Sequence, residues 1–133
     1  MVAKILASDY LWQTADDCVQ LLGGRGFMEN NPGPMILRDC RMLRIGEGAN
    51  ELMTLSIGRR VKHSRAFRAF IAEELDCPDL ELELQEAAAA AMERVLAPGA
   101  GFPDRSAAVA WGQTLAGRVA VATLQHAALE AAT

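Results

Sequence analysis

Aromatic residues make up only 5% of these 133 residues, and the chain has three cysteines, two histidines and no surplus of positive charge. Each shortage excludes something. At a formal charge of −4 the chain has no overall basic excess with which to neutralise phosphates, so DNA or RNA is not an expected partner. Cys18, Cys40 and Cys77 are odd in number, stand 22 and 37 residues apart and include no CxxC pair. With so few histidines beside them they point to neither a disulfide framework nor a metal site, and reduced thiols are the expectation. No apolar run reaches the ~18 residues of a membrane span, and the N-terminus, with Lys4 and Asp9, lacks the apolar core of a signal peptide. A soluble, cytoplasmic protein without a transmembrane segment is therefore expected.

What is abundant is small and aliphatic. The apolar fraction is 51%, mostly Ala, Leu, Val, Met and Ile, the mixture that helix bundles prefer. The expected fold class is all-α, and the length suits one domain with a modest core. Charge is uneven: residues 1–66 carry nine basic and seven acidic side chains, residues 67–133 four and ten. The two stretches should face different neighbours.

Residues 2–22 place Ile5, Ser8, Trp12, Ala15, Val19 and Leu22 on one helical stripe that ends at Gly23-Gly24. No capping residue precedes the stripe, which points to a larger protein extending before Met1. Glycines and prolines then crowd residues 23–34, a structured loop, and residues 35–45 read as a short extended piece. Residues 50–75 read as one helix, with Gly58 marking a bend or a close helix contact. Pro78 opens another helix through the acidic run and five alanines to about Leu96, and 97–103 is a linker. The last helix runs from about Asp104, with Ala108, Trp111, Leu115, Val119 and Ala122 in one row, and reaches the terminus without a stop signal.

Three segments bear residues suited to chemistry. Gln20–Phe27, QLLGGRGF, takes a helix end into a glycine-rich turn. Such a turn allows close backbone approach to a phosphate or flat ring, and is equally what a Gly-capped helix end looks like. Arg38-Asp39, with Arg41 and Arg44, forms alternating charges that suit a solvated or internally salt-bridged segment. In Ile45–Leu52, IGEGANEL, Glu47 sits between two glycines just before a helix. That carboxylate is either a helix-capping acid or an accessible base, since flanking glycines leave room for a substrate and the helix start favours the anion.

Taken in order, Gln-x-x-Gly-Gly-x-Gly-Phe, Asn30, Arg38-Asp39 and Arg-x-x-Arg-Ile-x-Glu-Gly-x-Asn-Glu-Leu, over roughly residues 3–62, resemble the C-terminal helical domain of the acyl-CoA dehydrogenase family. The resemblance implies that Gln20, Leu21, Leu22, Gly23 and Gly24 contact the FAD of a neighbouring subunit. It implies further that Glu47 is the catalytic base, that Gly48 lies against the acyl thioester, and that Ala49, Asn50 and Glu51 stand at flavin-contacting positions. In that chemistry the carboxylate removes the α-proton while the β-hydride leaves to flavin N5, giving a trans-2-enoyl thioester. Burial beside an acyl chain would raise the pKa of such a base. The implied partners are an acyl thioester substrate, a second copy or a complementary dehydrogenase subunit, and an electron-accepting flavoprotein.

The sequence departs from the family pattern at four places. Gly46 replaces an aromatic, Ala49 a threonine, Met35 a basic residue and Asn31 an aromatic. Residues 1–66 are assigned to the family's domain, and 67–133, which resemble the additional C-terminal helices of its very-long-chain branch, to a further helical region. The basic cluster Arg59, Arg60, Lys62, His63, Arg65 and Arg68 is expected to be solvated or paired with the acidic 73–86 run, and His126 to be structural. Two functions stay open: part of a dehydrogenase that depends on FAD-binding domains outside this sequence, or a non-catalytic dimerisation or docking module of the same descent.

Overall fold

The structure, a computed structural model, describes residues 1–74 and 78–130; Leu75 and Cys77 lie outside the described residues. Among the described residues every regular element is helical, as the composition dictates. The helices are α1 (Val2–Leu22), α2 (Gly24–Phe27), α3 (Gly33–Leu43), α4 (Asn50–His63), α5 (Arg65–Ala69), α6 (Pro78–Leu96) and α7 (Arg105–Glu130), with a π-helical turn at Phe70–Glu74. The chain divides into two compact units, Met1–Met53 and Thr54–Thr133.

In the first unit α1 packs against α3, with α2 touching both. Ile5, Ser8 and Ala15 are the buried members of the α1 stripe, and Gly23 closes the helix in a left-handed conformation (φ 57°) that glycine adopts without steric cost. The extended piece expected at 35–45 is instead the helix α3. Pro34 in its first turn presets a helical φ, and Leu37, Cys40 and Arg44, three and four apart, give one sheltered face with Cys40 buried.

The second unit is built on the α6–α7 pair, with the π turn against α6. Leu84, Ala88, Ala91, Met92 and Val95 of α6 are buried, and so are Ala108, Ala116, Ala120 and Val121 of α7. The row Ala108, Trp111, Leu115, Val119 and Ala122 of α7 is largely turned outward: Trp111, Val119 and Ala122 are exposed. Small residues let α7 approach its neighbours closely, so close backbone packing takes the place of large side chains. A Cβ on Gly117 would overlap the Thr54 carbonyl oxygen of α4.

The single helix expected over 50–75 is interrupted at Ser64, whose backbone is extended and whose Oγ accepts a bond from the Phe67 amide at 3.2 Å. A serine that caps a new helix competes with continuation of the old one. At the start of α7, Asp104 accepts from the Ala107 amide at 2.8 Å in the same way.

Candidate active-site loop

Residues 44–49 connect α3 to α4 and carry Glu47. Glu47 is the one non-glycine residue with positive φ (57°) among those described, and Gly48 follows at φ 106°. Two successive residues of this kind turn the chain sharply and expose the Glu47 side chain. A side chain held in the left-handed region costs about 1–3 kcal/mol and persists only where its surroundings enforce it.

The enforcement comes from α1. Lys4 Nζ donates to the Gly48 carbonyl at 2.9 Å and to Asn50 Oδ1 at 2.7 Å. Asn50 is buried, and its Nδ2 donates to Ser8 Oγ at 2.9 Å and to Asp9 Oδ1 at 2.9 Å. Arg44 Nε donates to the same Asp9 oxygen at 2.6 Å, and the Asn50 amide donates to the Arg44 carbonyl at 3.0 Å, closing the loop. Arg44 also lies over the Trp12 ring, 5.0 Å from its centroid, with Arg41 at 5.9 Å.

Beside this loop is a cleft of about 370 Å³, lined by Lys4, Ala7, Ser8, Leu11, Met42, Leu43, Gly46 and Glu47. Its walls are mostly aliphatic, and Glu47 is the one carboxylate among them. Gly46 adds no side chain to this wall, where the family pattern has an aromatic.

The other expected site residues are elsewhere. Gln20, Leu21 and Leu22 end α1, Gly23 caps it and Gly24 begins α2, all exposed, with Leu21 at 88%. Gln20 lies sixteen helical steps beyond Lys4 in the continuous helix α1, roughly 24 Å at 1.5 Å per step. One reacting centre within one chain therefore cannot touch both ends. A Cβ added at Gly23 or Gly24 would meet nothing within 4 Å, so there is open space beside their backbone. Of the remaining residues, Ala49 is half-buried and its carbonyl accepts from Met53 at 3.1 Å, while Glu51 is exposed in the first turn of α4.

The charged segment before the loop pairs with residues outside it, Arg38 with Glu29 and Arg44 with Asp9. Arg38 makes a two-pronged bond to Glu29 at 2.8 and 3.2 Å, and that bond holds the Glu29 carboxyl below the usual range and raises the guanidinium further. In the second unit Arg68 meets Glu81 at 3.4 Å, a pairing with the acidic run of the kind expected, and Arg59 donates to Gln113 at 2.9 Å. Lys4, Ser8 and Asp9 were not among the expected site residues. The available signal was that Lys4, Ser8 and Leu11 fall on one helical face, so that a lysine and a serine share the cleft wall with an aliphatic side chain.

No group of three or more potential metal ligands occurs among the described residues. No helix among them is long and apolar enough to cross a membrane.

Residues 1–62 match the family model described as acyl-CoA dehydrogenase, C-terminal domain. The mouse very long-chain specific acyl-CoA dehydrogenase, mitochondrial, is 43% identical over 56 residues, 42% of this chain and 8% of that protein. The cyclohexane-1-carbonyl-CoA dehydrogenase of Geobacter metallireducens is 37% identical over 60 residues, 45% of this chain and 16% of that protein. An acyl-CoA dehydrogenase of Bacillus subtilis is 41% identical over 58 residues, 44% of this chain and 15% of that protein. The matched stretch is thus less than a fifth of the length of each of these relatives. No solved structure is significantly similar to the chain. Its helical first unit, its glycine turn and its Glu47 loop all fall within the matched stretch, so that residues 1–62 are similar to the C-terminal domain of the acyl-CoA dehydrogenase family.

Proposed function

We propose that this chain supplies the C-terminal part of a flavin-dependent acyl-CoA or acyl-carrier dehydrogenase, with Glu47 as the base that removes the α-proton of an acyl thioester. The observation that carries this reading is the placing of Glu47 at the rim of an aliphatic cleft, in a backbone conformation that must be held by its surroundings. An acyl chain along Ala7, Leu11, Met42 and Leu43 would lie next to the carboxylate, and the Glu47–Gly48 turn leaves the carboxylate open to the thioester. In the reaction the carboxylate takes the α-proton and becomes a carboxylic acid, and loss of the β-hydride leaves the trans-2-enoyl thioester. Bound FAD supplies the hydride acceptor. The ~24 Å between the two ends of α1 supports a division of labour between subunits. The Gln20–Gly24 turn serves the flavin of a neighbouring subunit, and Ala49, Asn50 and Glu51 adjoin the flavin next to Glu47.

The rest of the flavin site comes from domains outside this sequence, in line with the small share of each relative that it covers. Residues 1–66 form the family's domain and 67–133 an added helical region. The working protein is a cytoplasmic oligomer, or a complex with a complementary dehydrogenase subunit, that passes electrons to a flavoprotein acceptor. The test is to co-express the chain with such a subunit and record the absorbance of the purified complex. A yellow complex bleached by acyl-CoA supports the reading; a colourless one from a complete partner overturns it.

A second reading is favoured by a different observation. Leu21 and Phe27 are 88% and 83% exposed, and Leu22 and Met28 near them are also exposed, an apolar surface at the glycine turn that suits docking without catalysis. Gly46, Ala49 and Met35 fit that alternative, a dimerisation or docking module.

A further inference from the structure

The loop that presents Glu47 is held from one helix at both of its ends. We propose that Lys4 and Asp9 of α1 are positioning residues for Glu47, gripping the Gly48–Asn50 side and the Arg44 side of the loop, respectively. This role in catalysis rests on Glu47 being the base; the grip itself does not.

The geometry leaves little slack. Lys4 Nζ has two oxygen acceptors, the Gly48 carbonyl and Asn50 Oδ1, which pin the residue after Glu47 and the first residue of α4. Asp9 Oδ1 receives Arg44 Nε and Asn50 Nδ2, so one carboxylate oxygen ties the last residue before the turn to the first one after it. Ser8 Oγ, buried beneath them, donates back to Asn50 Oδ1 at 3.3 Å. Between Arg44 and the pinned Gly48 carbonyl lie only Ile45, Gly46 and Glu47. The charged members matter most, because hydrogen bonds with an ionised partner are about twice as strong as neutral ones. Without the grip, Glu47 has every reason to leave the left-handed region, and the carboxylate would swing with its backbone.

Lys4 also lines the cleft that would receive the substrate. Its ammonium is spent on the loop backbone and on Asn50.

The test uses the full chain. Hydrogen exchange of the Asn50 amide, whose bond to the Arg44 carbonyl closes the loop, is compared with that of α1 and α3 amides in wild type, Lys4→Met, Lys4→Arg and Asp9→Asn. The expected result is about tenfold faster Asn50 exchange in Lys4→Met and in Asp9→Asn, the factor for about 1.4 kcal/mol, with α1 and α3 little changed and Lys4→Arg close to wild type. Unchanged exchange at Asn50, or a uniform rise across α1 and α3, overturns the proposal; should Lys4→Met fail to fold, Asp9→Asn alone decides it. In a flavin-loaded complex, Lys4→Met is further expected to slow bleaching at saturating acyl-CoA about tenfold, with KM little altered and Lys4→Arg restoring the rate. If Glu47→Gln bleaches normally, the assignment of the base falls while the exchange result still decides the grip. If Glu47→Gln is inactive and Lys4→Met is as fast as wild type, the positioning role falls alone.

Discussion

Gly58 of α4 lies so close to Gln113 of α7 that a Cβ on Gly58 would overlap the Gln113 carbonyl oxygen. Backbone cannot step aside as the end of a side chain can. Gly58→Ala is therefore expected to destabilise the second unit by about 1–3 kcal/mol, the usual cost of overpacking, although alanine is the better helix former. Urea unfolding followed by circular dichroism measures it. Gly24→Ala, with open space around the new Cβ, is the control expected to leave stability nearly unchanged.

The left-handed backbone at Glu47 makes function and stability pull apart. Glycine at that position relieves the strain and offsets it only in part by added chain entropy, so Glu47→Gly is expected to raise stability by about 0.5–1 kcal/mol. Glu47→Gln keeps the same backbone demand and should leave stability unchanged. A Glu47→Gly chain less stable than wild type in urea contradicts the strain at this residue.

Acid should weaken the first unit through Glu29. Because Arg38 holds the Glu29 carboxyl below its unfolded value, the pair's contribution is complete above the ordinary carboxylate range and is lost as pH falls through the lowered value. The raised value of Arg38 changes nothing between neutrality and strong alkali. Both side chains are mostly exposed, so the effect is small and fades with salt. Urea midpoints at several pH values, for wild type and Arg38→Gln, should converge in acid and separate slightly at neutral pH.

Helices were legible where the sequence punctuates them. Gly23, Pro78 and Asp104 stand at the ends expected of α1, α6 and α7, because glycine, proline and a capping carboxylate act locally. Two features were hidden because they depend on packing. The apolar, proline-led segment at 33–43 suits a strand or a helix by composition, and only the surface of α1 selects the helix. The buried face of α7 is its small-residue face, which a search for large apolar rows passes over, and the exposed Trp111 shows the consequence. At the candidate site, Glu47 and its glycines were visible as a motif. Lys4 and Asp9, about 40 residues earlier in the chain, meet the loop only once α1 has folded beside it.

The central claim is that the Glu47 carboxylate takes the substrate's α-proton. The direct measurement is stopped-flow bleaching of the flavin by acyl-CoA in a reconstituted complex carrying either the wild-type chain or Glu47→Gln. With the amide in place of the carboxylate the bleaching rate should fall by about a hundredfold or more, the scale of a lost general base, while flavin content stays the same. Bleaching by Glu47→Gln at the wild-type rate contradicts the account.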